Sequence, residues 1–515
     1  MSLLWPIIRQ SLTAPRRTAV VDDQRPYSYG QLIAGATFVA EEIETATSAQ
    51  HVGILLPTSG SFPMALLGVW LAGRVGVPLN YLLGCDELAY IIEDSDIGLL
   101  ITVDAMLKAT EAGKVLPPDL RVLDLAAMDV TGLPPLRWPQ TLADEDLAAV
   151  LYTSGTSGRP KGVMLTHGNL HSNTDAAIQH TRISRDDTFL GVLPQFHSFG
   201  LTALTLMPLR AGAKVVYSAR FVPRRVVRLI AEHRPQIIMA VPSMFGALLS
   251  VRGATPEDFA SIRFAISGGE PLPQATAAAF ADRFGVHLLE GYGLTETSPV
   301  ANWCTPEKFK PHSVGTAVPG VTNLVVSDAD RVLGPNEEGE ILISGPNLMA
   351  GYYHLPDETA EAFVHIADPA TGKRRKYLRS GDIGHIDQDG YLFITGRKKE
   401  MLIIGGENVF PRQIEEVMNR HPSVCDSAVI GQPDGMRGEV PIAFVQLQPE
   451  ATFDEAELRE FCRLQLAQFK VPRRIRPIDQ LPRNPTGKLL RRRLQQLWHD
   501  QKAEQVAATA RQADQ

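Results

Sequence analysis

The chain has 515 residues, 44% of them hydrophobic, with 50 Lys and Arg against 57 Asp and Glu and a net charge of −7. This length implies roughly three or four core-sized units, the apolar content argues against disorder, and the acidic balance gives no reason to expect nucleic acid as a partner. Cys85, Cys304, Cys425 and Cys462 lie far apart with no CxxC pair, so neither a disulfide framework nor a zinc site is expected.

The start, MSLLWPIIRQ, lacks a basic segment followed by a continuous apolar core and a small-residue cleavage site, so no signal peptide is expected. The longest uncharged stretch, 52–73, is broken by Pro57, Ser59, Gly60, Ser61 and Pro63. It reads as a strand, a turn and a buried helix rather than a membrane span. A soluble, cytoplasmic protein without stable membrane insertion is expected.

Residues 151–165, LYTSGTSGRPKGVML, set a loop of Thr, Ser and Gly with one Lys between two apolar stretches. Glycine lets the backbone turn tightly beside a ligand, hydroxyls and freed N–H groups suit phosphate oxygens, and Lys161 adds positive charge. The loop is not the G-x-x-x-x-G-K-[ST] motif, because Pro160 precedes Lys161 and Gly162 follows it. A flexible surface loop of small residues is the alternative.

Further along, Val226, Val227, Leu229 and Ile230 give a helical stripe over 222–233, and 236–241 reads as a buried strand ended by Pro242. Met244, Ala247, Leu248 and Val251 form another helical stripe. Ile262, Phe264 and Ile266 alternate as a strand that ends at Ser267-Gly268-Gly269. An Ala-rich helix is predicted over 274–284, stopped by Gly285, and 286–289 is the next strand. Strands separated by helices imply βαβ units and mainly parallel sheet, whose ligands sit beyond the carboxyl ends of the strands. Gly268-Gly269 and Gly291-Tyr292-Gly293 fall in that position.

Residues 290–297, EGYGLTET, combine two glycines, an aromatic ring, hydroxyls and carboxylates after a strand. Tyr292 would stack on a purine, Thr295 would bind a phosphate oxygen, and Glu296 would hold Mg²⁺, a hard cation that prefers carboxylate and phosphate oxygens. A structural turn is the plainer reading. Ser380-Gly381-Asp382, taken alone, also reads as a turn. A hairpin is predicted over 385–396 with its turn at Asp389-Gly390, followed by the charged run Arg397-Lys398-Lys399-Glu400, which by itself reads equally as a solvated linker. A helix (411–420), two strands (425–431 and 440–447), a helix (454–465) and a strand near Ile475 complete a small α+β domain. Residues 501–515 are Ala- and Gln-rich and are expected to fray. In 482–488, PRNPTGK, proline stiffens the loop so that Lys488 is aimed rather than trailing. A lone lysine there would otherwise read as a solvated charge.

Thr153-Ser154-Gly155-Thr156-Ser157-Gly158 followed by Pro160-Lys161-Gly162 strongly resembles the phosphate loop of the adenylate-forming superfamily, which includes acyl-CoA synthetases, peptide-synthetase adenylation domains and luciferases. The resemblance runs from about residue 10 to about 495 with the motifs in family order. It implies a large α/β N-terminal domain (1–396) with parallel-rich sheets and helices, and a small mobile α+β C-terminal domain (397–500). It implies that Thr153, Ser154, Gly155, Thr156 and Lys161 hold phosphates, that Gly268, Gly269, Glu270, Glu290, Tyr292 and Gly293 border the nucleotide, and that Thr295 and Glu296 serve phosphate and metal. Asp382 and Arg397 match the ribose site, with Ser380 standing where Thr is usual. Lys399 matches the hinge, Gly405 and Gly406 the pantetheine path, and Lys488 the adenylation lysine that bridges the acyl carboxylate and the α-phosphate.

In 194–200, PQFHSFG, the amino-acid-activating branch carries an Asp directly after the first Phe to pair a substrate ammonium; this chain has His197. An ammonium without a carboxylate partner would be costly to desolvate. The resemblance implies instead that His197 lies beside the activated carboxylate; a capped His in a tight turn is the plain alternative. The expected acyl pocket draws on 199–206, 243–248, 267–271 and 298–301, including Leu201, Ala203, Leu204, Met244, Phe245, Gly246 and Ala247. These segments carry no Lys or Arg, which disfavours a dicarboxylic acid and fits a fatty acid. The expected activity is ATP- and Mg²⁺-dependent ligation of a carboxylic acid to CoA through an acyl-adenylate. The rivals are an aryl acid substrate, transfer to the phosphopantetheine of a carrier protein, an adenylate-using oxygenase, and a non-catalytic acyl-nucleotide scaffold.

Overall fold

Short apolar segments alternating with amphipathic ones build four sheets in the computed structural model, which describes residues 3–130, 132, 134, 139–153, 159–369, 371–435, 437–483 and 489–501. The predicted tail 501–515 lies outside them beyond residue 501. A nine-stranded sheet runs in the order Thr316–Ala317, Val300–Trp303, Leu288–Gly293, Phe264–Ser267, Ile237–Ala240, Thr188–Gly191, Lys214–Tyr217, Thr18–Val21 and Pro26–Ser28. Its centre is parallel and its edges antiparallel. A seven-stranded sheet joins Gly351–Tyr352, Lys161–Thr166, Leu147–Thr153, Val75–Pro78, His51–Leu55, Ile97–Thr102 and Arg121–Asp124, parallel from Leu147–Thr153 onward.

The helices are set by local signals and buried by packing. Ser28 and Thr166 each form a reciprocal capping box, with Gln31 and Asn169, at the starts of Tyr29–Ala46 and His167–Thr181. The predicted uncharged stretch becomes the strand His51–Leu55 and the helix Ser61–Leu71, which is buried along nearly its whole length. Trp70 Nε1–H on that helix donates to the Ala148 carbonyl of the seven-stranded sheet at 2.8 Å. Among the described residues no helix is long and apolar enough to cross a membrane.

A third sheet, antiparallel throughout, orders Thr322–Val326, Gly339–Ser344, Arg374–Ile386 and Phe363–Ala367, with Leu392–Arg397 paired to Arg374–Ile386. The predicted hairpin is the end of this sheet, and its first strand starts eleven residues earlier than expected, at Arg374 rather than 385. The fourth sheet contains Glu407–Val409, Leu402–Ile404, Gly438–Leu447 and Val424–Asp434, with Arg474–Pro477 parallel to Gly438–Leu447. The helices Pro411–Met418 and Glu455–Arg463 accompany it. These form the smaller C-terminal domain with its own apolar cores.

Candidate active site

The strand Leu288–Gly293 leaves the parallel part of the nine-stranded sheet carrying Tyr292, whose hydroxyl donates to Asp382 Oδ2 at 2.7 Å. Asp382 lies on the third sheet and is 3% exposed. Its other oxygen, Oδ1, faces Arg397 Nε at 3.1 Å. Gly381, with φ +68°, makes the left-handed step that aims the carboxylate, and the Asp382 N–H donates to Ser380 Oγ at 3.0 Å. Ser380 in turn donates to the Ile341 carbonyl at 2.6 Å, so its hydroxyl fixes the backbone of the turn. Burial and the Asp382 charge push the Tyr292 phenol well above its ordinary range, while the same carboxylate holds Arg397 up. Three residues predicted from separate segments thus meet in one charged hydrogen-bonded group.

The following turn, Thr295–Thr297, is held from behind by two buried amides. Asn173 Nδ2 donates to the Val300 carbonyl at 2.7 Å and the Thr297 carbonyl at 3.3 Å, and Asn347 Nδ2 donates to the same two at 3.2 and 2.9 Å. Glu296 Oε1 accepts from the Tyr352 hydroxyl at 2.9 Å, and the Met349 N–H donates to the Glu296 carbonyl. The Tyr352 ring lies 5.2 Å from Lys161 Nζ, which also approaches Glu358 Oε1 at 4.0 Å. Tyr352 therefore touches both the expected metal carboxylate and the expected phosphate lysine. Lys161 is paired across the antiparallel ladder with Thr153. Ser154, Gly155 and Thr156, between them, lie outside the described residues, as does Lys488.

Thr295 Oγ1 lies 3.2 Å from Ser198 Oγ, which links this turn to the segment with His197. His197 caps the short helix Ser198–Leu201, its Nδ1 accepting from the Phe199 N–H at 3.3 Å, and its side chain is exposed. Both the capping and the ligand-facing readings of His197 fit that geometry. A Cβ on Gly200 would collide with the Pro194 carbonyl, so only glycine lets the helix press against the PQFH turn. Beyond it, Thr202–Leu206 winds as a π-helical turn, with Thr205 Oγ1 donating to the Gly200 carbonyl at 2.9 Å. Leu201 before this turn, Ala203 and Leu204 within it, and Phe245 on the helix Pro242–Leu249 are all 0% exposed. They are packed core rather than pocket lining, a correction to the sequence expectation. On the helix Pro242–Leu249, by contrast, Met244, Gly246 and Ala247 stay half-exposed, and no atom lies within 4 Å of where a Gly246 Cβ would stand.

The remaining expected residues are spread around this centre. Gly268 abuts the Phe199 ring and the Gly291 carbonyl, Gly269 takes φ +83°, and Gly293 abuts the Pro299 carbonyl. Glu270 is held by Arg483, as described below. Glu290 is half-buried, and burial pushes its carboxyl up to about 7 against the opposing charge of Arg412. Lys399 is exposed in the turn Lys398–Glu400 between the third and fourth sheets. Gly405 and Gly406 turn the hairpin of the C-terminal sheet at φ +63° and +88°, with open space around both. Sequence reasoning missed Tyr352, Asn173 and Asn347. Only the Gly351-Tyr352-Tyr353 cluster carried any signal, since glycine followed by aromatics at a strand edge marks a close approach.

Comparison with known proteins places these features in context. The family model described as AMP-binding enzyme matches residues 8–353, and the model for the AMP-binding enzyme C-terminal domain matches residues 413–488. The chain is 36% identical to the sulfoacetate–CoA ligase of Cupriavidus necator, covering 92% of this chain and 93% of that one. It is 31% identical to the long-chain-fatty-acid–CoA ligase of Bacillus subtilis, covering 93% of this chain and 91% of that one. The crystal structure of ATP-bound MatB from Rhodopseudomonas palustris, 31% identical, matches with a TM-score of 0.87 over 97% of this chain and 99% of that one. The apo form of MatB matches over the same span with a TM-score of 0.77.

Proposed function

The chain belongs to the AMP-binding enzyme family, and on that premise we propose that it joins a carboxylic acid to CoA in two steps, through an acyl-adenylate, with release of pyrophosphate and AMP. The observation that carries this reading is the group formed by Tyr292, Asp382 and Arg397 beside the strand ends of the nine-stranded sheet. A buried carboxylate braced by a phenol and a guanidinium is a fixed acceptor for the two hydroxyls of a ribose. Thr153, Ser154, Gly155, Thr156 and Lys161 are assigned to the departing phosphates, Thr295 to a phosphate oxygen, and Gly268, Gly269, Glu290 and Gly293 to the nucleotide border.

Glu296 has the oxygen chemistry that Mg²⁺ takes, and its side chain is already oriented by Tyr352. Among the described residues no group of three or more His, Cys, Asp or Glu side chains would hold an ion alone, which suits an ion shared with nucleotide phosphates. When bound, Mg²⁺ would neutralise charge on the departing phosphates. Lys161 neutralises the same phosphates directly, and Lys488 is assigned to the reacting centre, where charge builds as a carboxylate oxygen attacks the α-phosphate. AMP then leaves the acyl group far more readily than oxide would, so the CoA thiolate displaces it. Rotation about Lys399 between the steps withdraws Lys488 and opens the pantetheine path past Gly405 and Gly406, which gives one site two chemistries. The closer match to the ATP-bound than to the apo form of MatB supports reading the present arrangement as that of the first step.

For the acid, an apolar monocarboxylic substrate of the fatty type is proposed. The half-exposed face of Pro242–Leu249 presents Met244, Gly246 and Ala247 and no cation to pair a second acidic group. The test is to incubate the protein with ATP, Mg²⁺, CoA and a panel of fatty, aryl, sulfonated and dicarboxylic acids, following AMP and thioester mass. CoA-dependent AMP with a fatty acyl thioester is expected. Thioester only from an aryl or doubly acidic substrate would overturn the acid class. Pyrophosphate exchange without thioester would move the acceptor to a carrier protein, and silence with every acid would favour the scaffold.

Tyr352→Phe keeps the ring under Lys161 and removes the donor to Glu296. A hydrogen bond to a charged acceptor is worth about 1.5–3 kcal/mol, so KM for ATP in pyrophosphate exchange is expected to rise about tenfold or more. An unchanged KM for ATP would show that Glu296 needs no such support.

A further inference from the structure

Arg483 ties the two domains together. Its Nη1 donates to both oxygens of Glu270, at 3.1 and 3.0 Å, and its Nη2 donates to Asp426 Oδ2 at 2.7 Å. Glu270 follows the strand Phe264–Ser267 of the large domain, whereas Asp426 lies on Val424–Asp434 of the C-terminal sheet. The neighbouring Leu481 packs in a core of the C-terminal domain. Arg483 and Leu489 face each other as an antiparallel bridge, and the Leu490 N–H donates to the Pro482 carbonyl at 2.8 Å. The Leu489 N–H also bonds Glu270. One carboxylate of the large domain therefore sits against the Arg483–Leu489 bridge of the other domain.

The setting makes this contact selective for orientation. The Glu270 side chain is 12% exposed and that of Arg483 27%. Burial pushes the Glu270 carboxyl upward, against Arg483. A carboxylate this dry costs free energy unless its cation stays in place, and a guanidinium that gives Nη1 to Glu270 and Nη2 to Asp426 meets both carboxylates only while the two domains keep this relation. Rotation of the C-terminal domain carries Arg483 and Asp426 away together and leaves Glu270 behind.

We propose that Glu270 and Arg483, backed by Asp426, are positioning residues that clamp the C-terminal domain in the arrangement used for adenylate formation. This rests on the two-step ligase reading above. It gives Glu270 a docking role that its place beside Gly268-Gly269 did not suggest. Removing the clamp lowers the population of the first-step arrangement and leaves the chemistry of the second step intact. For an equilibrium near one to one, a tenfold shift lowers that population from about one half to about one in eleven, roughly fivefold.

The test measures acid-dependent ATP–pyrophosphate exchange and, separately, thioester formation from supplied acyl-adenylate and CoA. Arg483→Gln is expected to slow the first about fivefold and to leave the second unchanged or faster. Arg483→Lys, which keeps the charge, is expected to recover part of the loss. In the Glu270→Gln background Arg483→Gln is expected to cost little more, because each acts through the other. Equal slowing of both half-reactions, an unaffected first step, or multiplying losses in the double variant would each overturn the clamp. Thermal midpoints of all variants separate a folding defect from a positioning one. If the unmodified protein shows no exchange with any acid, the ligase reading itself fails, whereas normal exchange with no half-reaction split discards the clamp alone.

Discussion

Replacing Lys488 by Ala is expected to slow adenylate formation by about 10²–10³-fold, the scale set by losing one preorganised charge at a transition state. Thioester formation from supplied acyl-adenylate and CoA is expected to continue at close to its normal rate. The asymmetry follows from where Lys488 stands as charge develops. In the first step a carboxylate oxygen and an α-phosphate, both anionic, must approach, and a cation held between them stabilises the pentavalent geometry. In the second step charge passes from the thiolate through the carbonyl oxygen to the departing AMP phosphate. On the rotation reading Lys488 has by then been withdrawn, so that step does not depend on it. The two half-reactions, assayed apart, check this. Equal loss in both would make Lys488 a structural residue of its loop.

Asp382→Asn is expected to raise KM for ATP about 100-fold with little effect on the KM for the acid. The carboxylate offers one oxygen to the Tyr292 hydroxyl and the other to Arg397 Nε. An amide turns one of those acceptors into a donor, so one neighbour faces a donor instead of a lone pair. The half-exposed Arg397 also loses its countercharge, a cost that solvent screens in part. Together the changes are worth about 2–3 kcal/mol, and each 1.4 kcal/mol is tenfold in affinity. Pyrophosphate-exchange kinetics with ATP varied, alongside calorimetric nucleotide binding, are the measurements. A fall in kcat with KM for ATP unchanged would remove Asp382 from the nucleotide site.

The parallel core was legible because its signals are local. The helix predicted over 274–284 appears as Gln274–Phe284, and the strand predicted over 236–241 as Ile237–Ala240. The third sheet was not. Its long strand Arg374–Ile386 opens with charged, exposed residues, which hide the alternation that reveals a half-buried strand. Thr322–Val326 and Gly339–Ser344 are bounded by turn signals at Pro319-Gly320, Gly334-Pro335 and Gly345-Pro346, but nothing local says which strands they join, and their pairing sets the sheet. The acyl pocket was misread at Leu201, Ala203, Leu204 and Phe245 because apolar lining and apolar core look alike in a sequence, and only the packing separates them. Asn173, Tyr352 and Arg483 escaped notice because their partners lie 127, 56 and 213 residues away. No window of sequence contains such a contact.

The paired amides behind Thr295–Thr297 bear on the entropy of catalysis. Asn173 and Asn347 are 0% and 1% exposed, and both donate to the Thr297 and Val300 carbonyls at the end of the turn. Ordering a segment of backbone costs about 1–2 kcal/mol per residue. Folding meets that cost here, long before a nucleotide arrives. On the proposed assignment ATP would find Thr295 and Glu296 already in register, so its contacts would count toward affinity and rate rather than toward organising the protein. The same rigidity separates the two ends of the site. If, as proposed, the half-exposed face of Pro242–Leu249 borders the acid, changes there would retune the accepted acid without loosening the nucleotide end.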